Sequence, residues 1–451
     1  MTVSAPTRAL AEYLAAAPTA DLPPAVVTKA CAHILDTVAA MVSGAQLPAG
    51  KRGAAFAAGQ YPSGPATVIG AGFTTRPVDA ALANGMSAHA DETDDSHPGS
   101  LSHPGCGVVP AALAVAEELG SSGADVVRAV VAGYDVGTRV VMALGRPPTL
   151  AEHASYSTHA YVAQFGAAAA AAVLHRLDER GARYALSYAA QSASGVNSWL
   201  RDGSHVEKAF VFGGMPAANG VRAASMVASG SDGVEDVFGG HPNFLDAVSG
   251  ERANPELLAD GLGERYEIHR TNIKKFAVGS PAQAAVQATL DIVAEHHPNP
   301  QDIKAIDIVL PGDLARVVDR RHMPDINVQY LVAGSLLDGD FSFAMAHDAD
   351  RMKDPAVVAL TDRTTLTPDR GVSGVRTATV TITLTDGTEL RRHVSAVRGT
   401  VDNPMSHDEV VTKVMDLMEP TLGRERAQQV VCTVSGLADV RKVSALSELL
   451  R

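Results

Sequence analysis

Apolar residues recur at three- and four-residue intervals through most of the first 260 or so positions, the period of helices with one buried face. Leu10, Tyr13 and Leu14 mark a short helix. After Pro23-Pro24, the positions Val26, Val27, Ala30, Ile34, Val38 and Met41 outline a long one that Gly44 ends. Ser122, with Asp125 three residues on, predicts the capped start of a second long helix carrying Val126, Val127, Val130, Val131, Tyr134 and Val141. Six consecutive alanines within 165–177 predict a helix packed closely inside a bundle, because methyl groups allow short interaxial distances. Further helices are expected over 182–193 and 215–229.

The pattern changes after about Glu267. Ile306, Ile308 and Leu310 alternate with polar residues, as do Ala378, Val380, Ile382 and Leu384, so both stretches read as strands. Asp386-Gly387 predicts a two-residue hairpin turn after the second. Helices are expected over 281–295 and 328–337, and beyond Asn403-Pro404 the helix period returns behind a Ser406-x-x-Glu409 capping box. The predicted fold is mainly α: a large all-helical domain formed by both chain ends, 1–266 and 403–451, with a smaller α+β domain, 267–402, inserted between them.

Composition narrows the function classes. A net charge of -13 without a run of Lys or Arg excludes a phosphate-tracking surface, so no nucleic-acid partner is expected. Apolar stretches such as 165–174 are too short to span a bilayer, and the N-terminus lacks a basic start followed by an apolar core, so neither a membrane partner nor a signal peptide is expected. Cys31, Cys106 and Cys432 lie far apart with no C-x-x-C pair, which fits a reducing, cytoplasmic setting. Neither G-x-G-x-x-G after a strand nor a P-loop occurs, so no nucleotide cofactor is expected.

The chemistry concentrates between Asn84 and Gly105. His89, His97 and His103 share this stretch with Asp91, Glu92, Asp94 and Asp95. Acids this close repel one another, and some of their pKa values are expected to rise. Apolar flanks at 80–90 and 108–119 place the run at a helix end between buried helices, and Pro98 and Pro104 turn the chain sharply enough to fix His97 and His103. The same histidines and aspartates could serve as N/O metal ligands in a metal-dependent hydrolase; no H-E-x-x-H spacing supports that, and no metal is expected.

Several strings together resemble the MmgE/PrpD family: Leu35-Asp36-Thr37; Asn84-Gly-x-x-x-His89 followed by Asp94-Asp95-Ser96 and Ser102-His103-Pro104; Gly133-Tyr134-Asp135-Val136-Gly137; Phe165-Gly166; Lys208 before Gly213-Gly214; Lys274-Lys275-Phe276; Gln329-Tyr330 with Leu336-Leu337-Asp338-Gly339; and Asn403-Pro404-Met405. The resemblance implies a helical domain from both chain ends with an α+β lid, a site between the domains, and a homodimer. It also implies a cofactor-independent lyase, of dehydratase or decarboxylase type, acting on a small di- or tricarboxylic acid, as in propionate metabolism. An isomerase or epimerase of a dicarboxylic acid in the same fold is the alternative, ahead of a metal-dependent hydrolase or a catalytically silent binding protein.

Bond cleavage beside a carboxylate needs cations and one placed acid or base. By resemblance the cations are Lys208 and Lys274, and the acid/base is His103, whose imidazole both takes and gives a proton near neutral pH. Glu92 stands where many relatives carry aspartate and is carried over as the base or its orienting group. Tyr330 is carried over as a donor or proton relay, and Ser96 and Asp95 as substrate-binding groups. The sequence departs from the family in two places. A family histidine aligns with Ser157 in Ser155-Tyr156-Ser157-Thr158-His159, with His159 two residues along as a substitute, and Val278-Gly279-Ser280-Pro281 replaces a segment that usually carries cysteine or histidine. These departures leave lyase and isomerase both open.

Overall fold

The structure, a computed structural model, describes residues 3–61, 63–145, 156–372 and 376–451. Ser155 of the string above lies outside the described residues. Helices dominate, as the apolar period predicts. The chain divides into two units: Met1–Ala90, Asp94–Asn272 and Leu417–Arg451 form the first, and Ile273–Asp416 with Asp91–Thr93 form the second.

In the first unit, helix Thr158–Leu174 is buried at every position from Ala160 to Leu174 and packs against Gly123–Ala143 and Met215–Ala228. Ser122 caps Gly123–Ala143 reciprocally with Asp125, as the spacing predicts. The glycines of the Gly133 to Gly137 string let these helices touch backbone to backbone. A Cβ on Gly137 would lie 2.3 Å from the Val162 carbonyl oxygen, and one on Gly133 would lie 2.5 Å from Val108 Cγ1. Helix Pro24–Gly44 has the length and hydropathy of a membrane span, but 72% of its apolar window is buried. Its buried His33 and Asp36 mark it as a core helix. A short hairpin, β1 (Ala66–Val68) and β2 (Phe73–Thr75), also belongs to this unit; strands of three residues are too short to leave a period in the sequence.

The second unit is built on a four-stranded sheet in the order β4 (Thr364–Asp369), β3 (Ile303–Pro311), β5 (Ala378–Leu384), β6 (Glu389–Val394). β3 is antiparallel to β5 and parallel to β4. Ile306, Ile308 and Leu310 of β3 join Ala378, Val380 and Ile382 of β5 in one core with helices Gln283–His296 and Val328–Asp338. β4 escapes prediction because its six residues, Thr-Thr-Leu-Thr-Pro-Asp, carry a single large aliphatic side chain and so show no alternation. The β5–β6 turn also differs from the two-residue form. Leu384 and Thr388 pair across it, the Gly387 N–H donates to the Leu384 carbonyl at 3.0 Å, and only Gly387, at φ +89°, is left-handed. That is a three-residue loop ending in a glycine bulge, since a two-residue type I′ turn would also need Asp386 at positive φ. Ser406 and Glu409 form the predicted capping box before helix His407–Leu422.

The segment Asp91–Thr93 is held inside the second unit by three side chains. His347 Nε2 lies 2.8 Å from Asp91 Oδ2, Lys274 Nζ donates to the Glu92 carbonyl at 2.7 Å, and Lys413 Nζ donates to the Thr93 carbonyl at 3.1 Å. Burial alone lowers the His347 pKa, but the hydrogen bond and charge of Asp91 outweigh it and raise it to about 9. Burial pushes Asp91 up, and His347 more than offsets this, leaving it below its ordinary value. A histidine whose folded pKa is raised contributes stability that is complete below about 6.5 and is lost as pH climbs through 9; the lowered Asp91 loses its contribution only below about 4. The pair is therefore fully stabilising between these limits. Thermal melts should show a stability loss of order 1–3 kcal/mol between about pH 6.5 and 9 that His347→Gln lacks; the same decline in the variant would contradict this.

Candidate active site

Helix Pro77–Ala88 ends at His89, and its last turn crosses the segment Phe210–Gly214 at a backbone contact that only glycine permits. A Cβ on Gly85 would sit 2.5 Å from the Gly213 oxygen, and one on Gly213 would sit 2.1 Å from the Gly85 oxygen. Phe210–Gly214 is a turn of π-helix, a device that inserts one extra residue and re-aims the side chains around it. Phe212 is thereby laid against the His89 ring, with centroids 4.3 Å apart and planes 19° apart. His159, in the first turn of Thr158–Leu174, also stacks on Phe212, at 3.8 Å and 13°. His103 lies 5.2 Å from His89 and 5.1 Å from His159, and His205 lies 5.3 Å from His89, ring to ring.

One carboxylate organises the cluster. Asp94, fully buried, has Oδ2 at 2.9 Å from His89 Nδ1 and Oδ1 at 3.2 Å from His103 Nδ1. With Nδ1 of each ring turned to this anion, the exchangeable lone pair or proton of each is left at Nε2. His89 and Asp94 are completely enclosed, whereas His103 keeps 8% of its surface. Among these two imidazoles, His103 is therefore the one a solute can reach. The His159 pKa is well below the usual histidine range, first because packing in the cluster removes water from its ring and then because His103, His89 and Lys208 oppose a further positive charge; Asp94 pulls the other way. It serves as an uncharged group at neutral pH.

Lys208 joins this set. Its Nζ lies 5.2 Å from the Phe212 ring centroid and 5.3 Å from that of Trp199. The structure thus brings together His103, His159 and Lys208 of the expected residues, and adds Asp94, His89, Phe212, Trp199 and His205. Asp94 and His89 stand in the histidine and acid run, where only the metal-ligand alternative gave them a role. The aromatic residues gave no signal beyond standing near Lys208.

The crowded-acid expectation is corrected. The acids do not face one another, because each has its own counter-group. Asp91 meets His347 and shifts down rather than up, Glu92 meets Lys274, Asp94 meets His89 and His103, and Asp95 meets His33. Asp95, completely buried, accepts from Tyr134 Oη at 2.6 Å, from His33 Nδ1 at 3.0 Å and from the Gly105 N–H at 3.1 Å. That use departs from substrate binding: Asp95 ties the start of helix Gly105–Leu119, two residues past His103, to helices Pro24–Gly44 and Gly123–Ala143. Its partner His33 is lowered to about 4 by burial, against the pull of Asp95. His97 is fixed rather than free to react, with Nδ1 2.8 Å from Ser100 Oγ and Nε2 3.1 Å from Glu267.

The other expected residues are spread over both units. Ser96 pairs through its backbone with Asn272, at 3.0 and 2.8 Å. Ser157 is fully buried at the N-cap of Thr158–Leu174. In the second unit, Lys274 Nζ lies 3.8 Å from Glu92 Oε2, with both side chains nearly enclosed. Tyr330 departs from its expected role as a donor to substrate or a relay. Its hydroxyl donates to the Met345 carbonyl at 2.6 Å inside the unit's apolar core, and burial pushes its pKa up to about 12. That places it as a core tyrosine.

Among the described residues, the donor atoms of His89, Asp94 and Cys106, all buried, lie within 4.8 Å of one another. An ion there would displace the His89 to Asp94 hydrogen bond and the bond from the Cys106 thiol to the His103 carbonyl.

Comparison with known proteins bears on the whole of this arrangement. Family models described as the MmgE/PrpD N-terminal domain and the MmgE/PrpD C-terminal domain match residues 8–256 and 276–437. The chain is 25% identical to a cis-aconitate decarboxylase of Aspergillus terreus over 461 aligned positions, covering 96% of this chain and 93% of that protein. It is 24% identical to the cis-aconitate decarboxylase-like protein oryM of Aspergillus oryzae, covering 95% and 94%. Every member of the histidine cluster falls within the first matched span. Since both family domains are found in order over most of its length, the chain belongs to the MmgE/PrpD family.

Proposed function

We propose that this protein is a lyase that removes CO2 from a small tricarboxylic acid, cis-aconitate or a close analogue, with proton transfer at His103. The observation that carries the reading is the shared Asp94 carboxylate, which holds two imidazoles by Nδ1 and leaves the more accessible one, His103, in the same cluster as the Lys208 ammonium. The whole-length likeness to cis-aconitate decarboxylases supports the substrate class.

In this reading Lys208 pairs with a substrate carboxylate and holds the anion in place. CO2 departs without the bonding electrons, which stay on carbon and delocalise into the remaining conjugated carboxylate. The His103 imidazolium then delivers the Nε2 proton to that carbon, and solvent restores it. Asp94 stabilises the charged ring and fixes its tautomer. Uncharged His159 offers a hydrogen bond to a substrate oxygen without adding a second cation. In this reading Ser96 and Ser157 offer groups for the substrate, and Lys274 pairs with Glu92, two residues before Asp94.

Incubation with cis-aconitate and a panel of related acids in deuterated water, followed by proton NMR, should show loss of CO2 and one deuterium placed on carbon. Exchange or inversion without CO2 loss would replace this reading with the epimerase one. His103→Ala should keep the fold by circular dichroism and lower kcat by about 100-fold or more. Asp94→Asn should lower kcat by about 10- to 100-fold with KM little changed, while Lys208→Ala should raise KM more than it lowers kcat. Retained turnover in His103→Ala would sink the assignment. In an NMR pH titration, the His159 ring should protonate only well below the ordinary histidine midpoint near 6.5; protonation near 6.5 would show that the packed ring is not the species in solution.

A further inference from the structure

The chain has a single tryptophan, and it stands in the histidine cluster. Trp199 meets Phe212 edge to face, with centroids 4.7 Å apart and planes at 87°, and meets His159 at 5.7 Å and 85°. Its indole N–H donates to Asn197 Oδ1 at 3.0 Å, which sets the ring's orientation from within its own short 3-10 turn, Asn197–Arg201. Lys208 Nζ sits 5.3 Å from the Trp199 centroid and 5.2 Å from that of Phe212, so the ammonium caps the corner where the two rings meet edge to face. The backbone supports the same placement: the Lys208 N–H donates to Asp202 Oδ2 at 2.9 Å, closing the loop between the tryptophan and the lysine.

We infer that Trp199 is a positioning residue for anion recognition: with Phe212 it forms an aromatic clamp that fixes the Lys208 ammonium for a substrate carboxylate. A lysine on a flexible four-carbon stem loses rotamer freedom when it binds an anion, and a ring face that already holds the ammonium removes part of that cost before substrate arrives. A ring face attracts the cation without neutralising it. The clamp acts on binding of the anion and does not touch the proton transfer at His103.

The inference rests on the proposed role of Lys208, and its test separates the two. Trp199→Ala and Trp199→Leu should each raise KM for cis-aconitate by about fivefold to tenfold with kcat within about threefold, and Trp199→Phe, which restores a ring face, should return KM to within about threefold of wild type. Unchanged KM in the alanine and leucine variants, or a leucine variant as good as the phenylalanine one, overturns the clamp even while wild type turns over substrate. Where Trp199→Ala does not fold, the leucine and phenylalanine pair carries the comparison. Should wild type show no decarboxylation, the activity proposal fails, and the emission of the single tryptophan still decides the clamp: titration with cis-aconitate should change it saturably in wild type and not in Lys208→Ala. No change in wild type, or the same change in the lysine variant, overturns it.

Discussion

A fully buried carboxylate needs compensation on both of its oxygens, and Asp94 finds it in two imidazoles, His89 by a hydrogen bond and His103 at ion-pair distance. An isolated charge of this kind would cost several kcal/mol to bury, so His89, His103 and Asp94 depend on one another for their places. The same constraint explains the dense acid and histidine run. Asp91, Glu92, Asp94 and Asp95 follow one another almost without a gap, yet each turns to a different partner: His347, Lys274, the His89 and His103 pair, and the His33 and Tyr134 pair. What reads as mutual repulsion along the chain is four separate compensations in space.

Close helix packing supplies the geometry. Gly85 against Gly213 brings the end of Pro77–Ala88 onto the π-turn, and Gly133, Gly137 and Gly166 let the central helices meet at their backbones. A single Cβ at Gly85 or Gly213 would force these backbones apart and pull His89 off Phe212. The aromatic ring in turn stacks on His159 and faces Lys208, so one phenylalanine gathers groups from three separated stretches of sequence.

Much of the fold was legible because its signals are local. The helical period, the Ser122 and Ser406 capping boxes and the alternation in β3 and β5 all act within a few residues. What escaped depends on distant partners. β4 has almost no apolar alternation and exists because β3 offers it an edge, and nothing in the local composition marks Asp91–Thr93 as part of the second unit. In the site, His103, His159 and Lys208 carried family or chemical signals. Asp94 was one of several equivalent acids in the sequence, and only the fold shows which one meets both imidazoles. Asp95 and Tyr330 carried the same kind of signal but spend their polar atoms on the protein itself.

The central claim is that His103, oriented by Asp94, faces the reacting carbon while Lys208 holds a carboxylate. A crystal structure of the protein with a bound, slowly reacting tricarboxylate tests it most directly. The account predicts a ligand carboxylate on Lys208 Nζ and a ligand carbon about 3–3.5 Å from His103 Nε2. A tricarboxylate bound away from both groups, with the His103 ring turned from it, would contradict the account.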